Sequence, residues 1–254
     1  MSAFAVLCKK ELTEYVRTYK GVVMFAVFVV LGIMNPMIAK LLPEIFNGNE
    51  IDGIIFNMPE PVAMDSWAQF FGNVGQIGVL TYVVVFCGIT ANDLGKGTLI
   101  NILTKGIKRS YVVASKFAVA AALFAVSYAA TVAITSVYNT FYWETEPLPH
   151  FALAMAAPYL YGLMLISLVT FGGILTKSFY GSLLAAGAVI VAMSLLNISP
   201  ALAKYNPITL SGGTLSLLNG AKSPRDFFPA IIICASITAG LIAASIFAFN
   251  RKQL

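Results

Sequence analysis

Few residues in this sequence are of types that carry chemistry, and their spacing excludes most reactions. The nearest approach to a phosphate-binding loop is Gly95-Lys96-Gly97-Thr98. A P-loop needs Ser or Thr directly after its lysine and a glycine five residues before its second glycine, so that backbone N–H groups cradle the phosphates. Gly97 and Thr90 hold those positions here, so the chain is not expected to hydrolyse ATP itself. Intramembrane proteolysis fails similarly: there is no His-Glu-x-x-His, no Gly-x-Ser-x-Gly and no pair of aspartates within an apolar run. Cys8, Cys87 and Cys234 are isolated, with no metal-ligand spacing. The single histidine, His150, stands in a polar connection without the companions a metal needs. The expectation is a chain that is no enzyme, with no catalytic residue, metal or cofactor of its own.

The elements that would position any site are apolar helices. Of the 254 residues 59% are hydrophobic and 11% charged, and the mean hydropathy is +0.84. A soluble domain carries about twice that charged fraction. The apolar residues fall into runs of about 20, the length of helix that crosses a hydrocarbon core of about 30 Å. Six spans are expected, at 21–42, 68–91, 111–138, 151–176, 179–199 and 228–249. They form one all-α polytopic membrane domain over 1–254. Lys177 and Ser178 alone separate the fourth span from the fifth, which predicts a tight antiparallel hairpin.

Shorter signals punctuate this plan. Residues 4–20 repeat Phe4, Cys8, Leu12, Tyr15 and Tyr19 every three or four positions, with Lys9, Lys10, Glu14, Arg17 and Lys20 on other faces. This predicts an amphipathic helix lying in the membrane interface; a solvated tail is the alternative. The mixed charges and long following run do not fit a cleavable signal peptide. Asn35-Pro36 is expected to kink the first span, and Ser110 to cap the third. Ser223-Pro224-Arg225-Asp226 reads as a helix start. The stretch 214–218 is apolar enough to dip into the bilayer.

Charge gives orientation. Of the 16 Lys and Arg residues, only Lys40, Lys204, Lys222 and Arg225 fall on segments outside if the N-terminus is inside. This positive-inside bias puts both termini in the cytoplasm. The net charge of +5 is spread over connections rather than gathered into a patch, which argues against nucleic acid as a partner. The middles of the spans carry no ionisable group, so coupling to an ion gradient has no evident carrier. Their mild polar residues, among them Asn73, Gln76, Thr81, Ser194 and Asn197, serve either helix–helix hydrogen bonds or a weakly polar translocation path. Energy for transport would have to come from a partner.

The longest inner connection, residues 92–110, holds a short helix at about 98–105, with Gly106 as its stop. That helix is too brief to stand alone in water, and Leu99, Ile100, Ile102 and Leu103 are too apolar to stay exposed. It should dock on the membrane face or on a partner.

Lys96-Gly97-Thr98-Leu99 and the basic cluster from Lys105 to Arg109 resemble the inner loop of ABC-2-type transporter permeases. The six-span plan with an interfacial N-terminal helix resembles them as well. Asp93 stands where those proteins usually carry glutamate, Gly95 replaces a helix former, and Gly106 replaces a proline. The resemblance implies a permease fold that pairs with a second copy, identical or paralogous, in the cell membrane. It implies that each copy binds a cytoplasmic ATPase, which holds the ATP and magnesium, through Asp93, Thr98, Leu99, Ile102, Leu103, Lys105, Lys108 and Arg109. The first, second and fifth spans would then line a path for an amphipathic or hydrophobic substrate, with Asn73, Gln76, Thr81, Ser194 and Asn197 on it. Permeases that export amphipathic peptides such as phenol-soluble modulins are similar in size and plan. A membrane assembly or immunity protein that sequesters a ligand without transport is the alternative.

Overall fold

A computed structural model describes residues 2–46, 50–51, 54–55, 59–95, 104, 106–144 and 147–252. Among them, six helices are long and apolar enough to cross a membrane. The chain opens with α1 (Ala3–Arg17), capped by the Ser2 hydroxyl, and turns at Tyr19 into the first span, α2 (Lys20–Phe46). A two-residue antiparallel ladder, Glu50–Ile51 with Ile54–Ile55, lies in the connection that follows. The second span is α3 (Ala63–Asn73), a π-helical turn (Val74–Gly78) and α4 (Val79–Gly95). The third is α5 (Arg109–Tyr142), the fourth α6 (Phe151–Thr176), the fifth α7 (Phe179–Leu196) and the sixth α11 (Phe228–Arg251). Between α7 and α11 lie the single turns α8 (Pro200–Ala203), α9 (Thr209–Gly212) and α10 (Leu215–Leu218).

Expected and observed spans coincide at 151–176; the first three run beyond their expected bounds at both ends. The fifth stops short: at Asn197 the bonding tightens, its N–H reaching the Ser194 carbonyl at 3.2 Å and the Ile198 N–H the Leu195 carbonyl at 3.2 Å, the three-residue spacing of a helix end. The cap expected at Ser110 is a correction: Lys108 is the extended residue before the helix, and Ser110 lies inside its first turn. At Ser223 the expectation holds, since its backbone N–H donates to the Asp226 carboxylate at 2.9 Å. The stretch 214–218 turns its apolar side chains inward: Leu217 and Leu218 are buried, with α10 packed on α6 and α3.

Packing centres on α6, which touches α4, α7 and α11. Of its most apolar stretch 61% is buried, against 11% for α7 and 17% for α11. Gly162 lets the Phe124 ring lie against the α6 backbone; a β-carbon there would stand 2.3 Å from the ring.

A second seam joins α2 to α5. Pro36 lies inside α2 and has no N–H for the Gly32 carbonyl one turn earlier. In an apolar medium that carbonyl needs another donor, and the Thr135 hydroxyl of α5 supplies it at 3.2 Å. One turn away, Thr131 donates to the Phe28 carbonyl at 2.7 Å. Gly32 makes this approach possible, since a β-carbon there would meet the Thr131 Cα at 3.2 Å.

Candidate functional site

Charged side chains gather at the end of the bundle where α1, the end of α4 and the start of α5 meet. On α1 the inward stripe is Leu7, Glu11 and Tyr15, spaced four apart on one helical face. Of the residues expected to repeat along its apolar face, Tyr15 alone is on this stripe, while Leu12 is 47% and Tyr19 71% exposed. The reason is Lys116. It lies in the second turn of α5, 1% exposed, and a buried ammonium must be paired. Its Nζ donates to both carboxylate oxygens of Glu11, at 3.0 and 2.9 Å, and to Oδ2 of Asp93 in the last turn of α4. That pairing, rather than apolarity, sets the face α1 presents.

Lys10 closes the cluster from outside. Its Nζ lies 3.0 Å from Glu11, 2.8 Å from Glu14 and 3.4 Å from Asp93. Burial opposes its charge, but the hydrogen bond to Glu14 and the charge of Glu11 outweigh burial and hold its pKa above the ordinary lysine value. Burial, then the charges of Glu11 and Glu14, push the Tyr15 phenol well up, so it stays neutral. Ligand oxygens of Glu11, Glu14 and Asp93 lie within 4.8 Å of one another, close enough to hold a cation. The ammonium groups of Lys10 and Lys116 already supply positive charge there.

A second cationic network seals the same end. Arg109 Nη1 donates to the carbonyls of Phe249, Asn250 and Lys252, at 2.8, 3.1 and 2.7 Å. Lys252 Nζ in turn donates to the carbonyls of Ile174 and Leu175, at the C-terminus of α6. The C-terminal end of each helix has carbonyls without intrahelical partners, and a cation suits both their hydrogen bonding and the helix dipole.

The residues expected to couple to a partner thus divide. Asp93 is buried at the root of the 92–110 connection, and Arg109 is engaged in capping α11. Lys108 is exposed just ahead of α5. Thr98, Leu99, Ile102, Leu103 and Lys105, with the short helix expected at 98–105, lie outside the described residues.

No hydrogen bond joins any two of the five residues expected on a path. Asn73 donates to Asn35 Oδ1 on α2 at 2.8 Å, just before the π-helical turn. Gln76 lies within that turn and is exposed. Thr81 and Ser194 donate to carbonyls of their own helices, Ile77 at 2.7 Å and Ile190 at 2.9 Å. Asn197 is exposed at the end of α7.

Sequence reasoning passed over Glu11, Lys116 and Asn35. Lys116 carried a usable signal: a lysine within an apolar helix demands a counter-charge, yet proximity to the basic connection made it look like part of the loop. No family model matches the chain, and no curated protein matches it.

Proposed function

We propose that this chain is the permease subunit of an ATP-binding-cassette exporter in the cell membrane. Both termini and the 92–110 connection face the cytoplasm, in keeping with the basic-residue asymmetry. The chain pairs with a second permease copy, and a separate ATPase binds ATP and magnesium. The observation that supports this reading is the buried Asp93–Lys116–Glu11 cluster. It ties the root of the connection to the second and third spans and to α1 at once. A displacement imposed on the connection by a closing ATPase would therefore move three helices together instead of bending a loose loop. An apolar path would suit an amphipathic cargo, and the residues proposed for it, Asn73, Gln76, Thr81, Ser194 and Asn197, are all uncharged.

The test is recruitment. Leu99→Asp or Leu103→Asp would place a carboxylate where the proposed contact is desolvated, at a cost of several kcal/mol by order of magnitude. Each variant should insert in the membrane at the wild-type level and fail to co-purify the ATPase. Full ATPase binding by both would reduce the segment to a connector. A wild-type chain that binds its ligand and co-purifies with no ATPase would favour sequestration without transport.

A further inference from the structure

Asn139, near the end of α5 away from the charge cluster, is only 7% exposed, and neither its Oδ1 nor its Nδ2 has a hydrogen-bond partner. A buried carboxamide left so is expensive and rare. It lines a cleft of about 570 Å³ between the start of α3, the end of α5 and the start of α6. That volume lies within the usual range for ligand sites. Three other polar groups of the cleft are engaged: Trp143 Nε1 donates to the Pro61 carbonyl at 2.6 Å, and the Ser136 and Thr140 hydroxyls donate to carbonyls of α5, at 2.7 and 2.8 Å. Trp67 and Phe151 form an apolar wall, their rings edge to face with centroids 5.4 Å apart. Among the described residues no lysine or arginine lines the cleft, and exposed Glu144 stands among its lining residues.

These features specify a ligand with an apolar body, a donor and an acceptor side by side, and no negative charge. One residue of an extended peptide meets this description, because its own N–H and C=O point to the same side, as in a hydrogen-bonded β pair. A lipid ester offers acceptors alone and would leave Oδ1 of Asn139 unpaired. We propose that the cleft binds an apolar peptide segment in extended form, held at one residue by two hydrogen bonds to Asn139, with any positive end towards Glu144. The site is independent of whether the chain works with an ATPase.

The chain has 2 tryptophans, Trp67 and Trp143, and both line the cleft, so its tryptophan fluorescence, excited clear of the 11 tyrosines, reports on the cleft. The protein in lipid nanodiscs is titrated with a Leu-Val-Leu-Val amide whose amino terminus is free. Parallel titrations use the same peptide N-methylated at its internal peptide groups, its N-acetylated form, and monoolein. The peptide should give a saturable change. The N-methylated form should bind about tenfold more weakly, the worth of one or two neutral hydrogen bonds. Asn139→Leu should weaken the peptide by a similar factor while unfolding at the same or a higher temperature, since it removes an unpartnered amide. Glu144→Gln should weaken the free-amine peptide more than the acetylated one. Ala63→Phe fills the cleft from its opposite wall and should abolish binding with Asn139 intact, so the proposal stays decidable if Asn139→Leu does not fold. Equal affinities for the peptide and its N-methylated form, or for wild type and either cleft variant, would overturn it. So would saturation by monoolein with no response to peptide, which would make this a lipid-chain cleft.

Discussion

At the scale of single residues, Lys116 holds the largest share of the basic-end architecture. Taking an ion pair out of water gains little net stability, but removing one partner leaves the others charged and desolvated, which costs about 3–5 kcal/mol. Lys116→Met should lower the unfolding temperature in detergent and expose α1 to protease. Adding Glu11→Gln should restore part of the loss, since Asp93 then keeps Lys10. Strictly additive losses in that double-mutant cycle would show that Lys116 and Glu11 do not act as a pair. Lys10, with its raised pKa, gives the opposite sign from a buried carboxylate. Its contribution is fully present below about pH 10.4, the ordinary lysine value, and fades only as pH rises through the still higher folded value. Each of these charges is visible in the sequence, but their meeting is not. Glu11 and Lys116 lie 105 residues apart, and no local period connects them. The same limit hid the wall opposite Asn139, which three separated segments build.

At the scale of elements, periodicity and length recover the six apolar helices and the hairpin at Lys177, because crossing a bilayer demands an apolar stretch of about 20 residues from each. The ends are harder to read, because tertiary partners complete them. Arg109 looks like part of a basic loop until the carbonyls of α11 are placed beside it. The α2–α5 seam shows the same dependence: Pro36 announces a missing N–H, and only the fold reveals that Thr135 supplies the replacement. Thr135→Val keeps the volume and leaves the Gly32 carbonyl without that donor. A destabilisation of about 1 kcal/mol is expected, typical of hydrogen bonds between membrane helices, with faster hydrogen exchange around Gly32. An unchanged unfolding temperature together with unchanged exchange would mean that α2 satisfies the carbonyl by other means.

At the scale of the whole molecule, the two ends of the bundle differ in kind. One gathers Lys10, Lys116, Arg109 and Lys252 into shared contacts. The other carries aromatic ones, including Lys40 Nζ 4.2 Å from the Tyr142 ring centroid. With the basic end inside, single cysteines at Lys105 and Lys108 should resist an impermeant thiol reagent applied to intact cells, while those at Glu50 and Glu144 react. Reaction at position 105 would invert the topology. The apolar faces of α7 and α11, so little covered within one chain, are left to lipid or to the second copy of the proposed permease. The charge cluster also has a consequence in time. Glu11 is made 105 residues and Asp93 23 residues before Lys116, so a growing chain carries acids whose buried base is not yet made. The N-terminal helix cannot be seated until the third span enters the membrane. A chain that stops earlier displays acids, Glu11 and Asp93, that have no buried base to pair with.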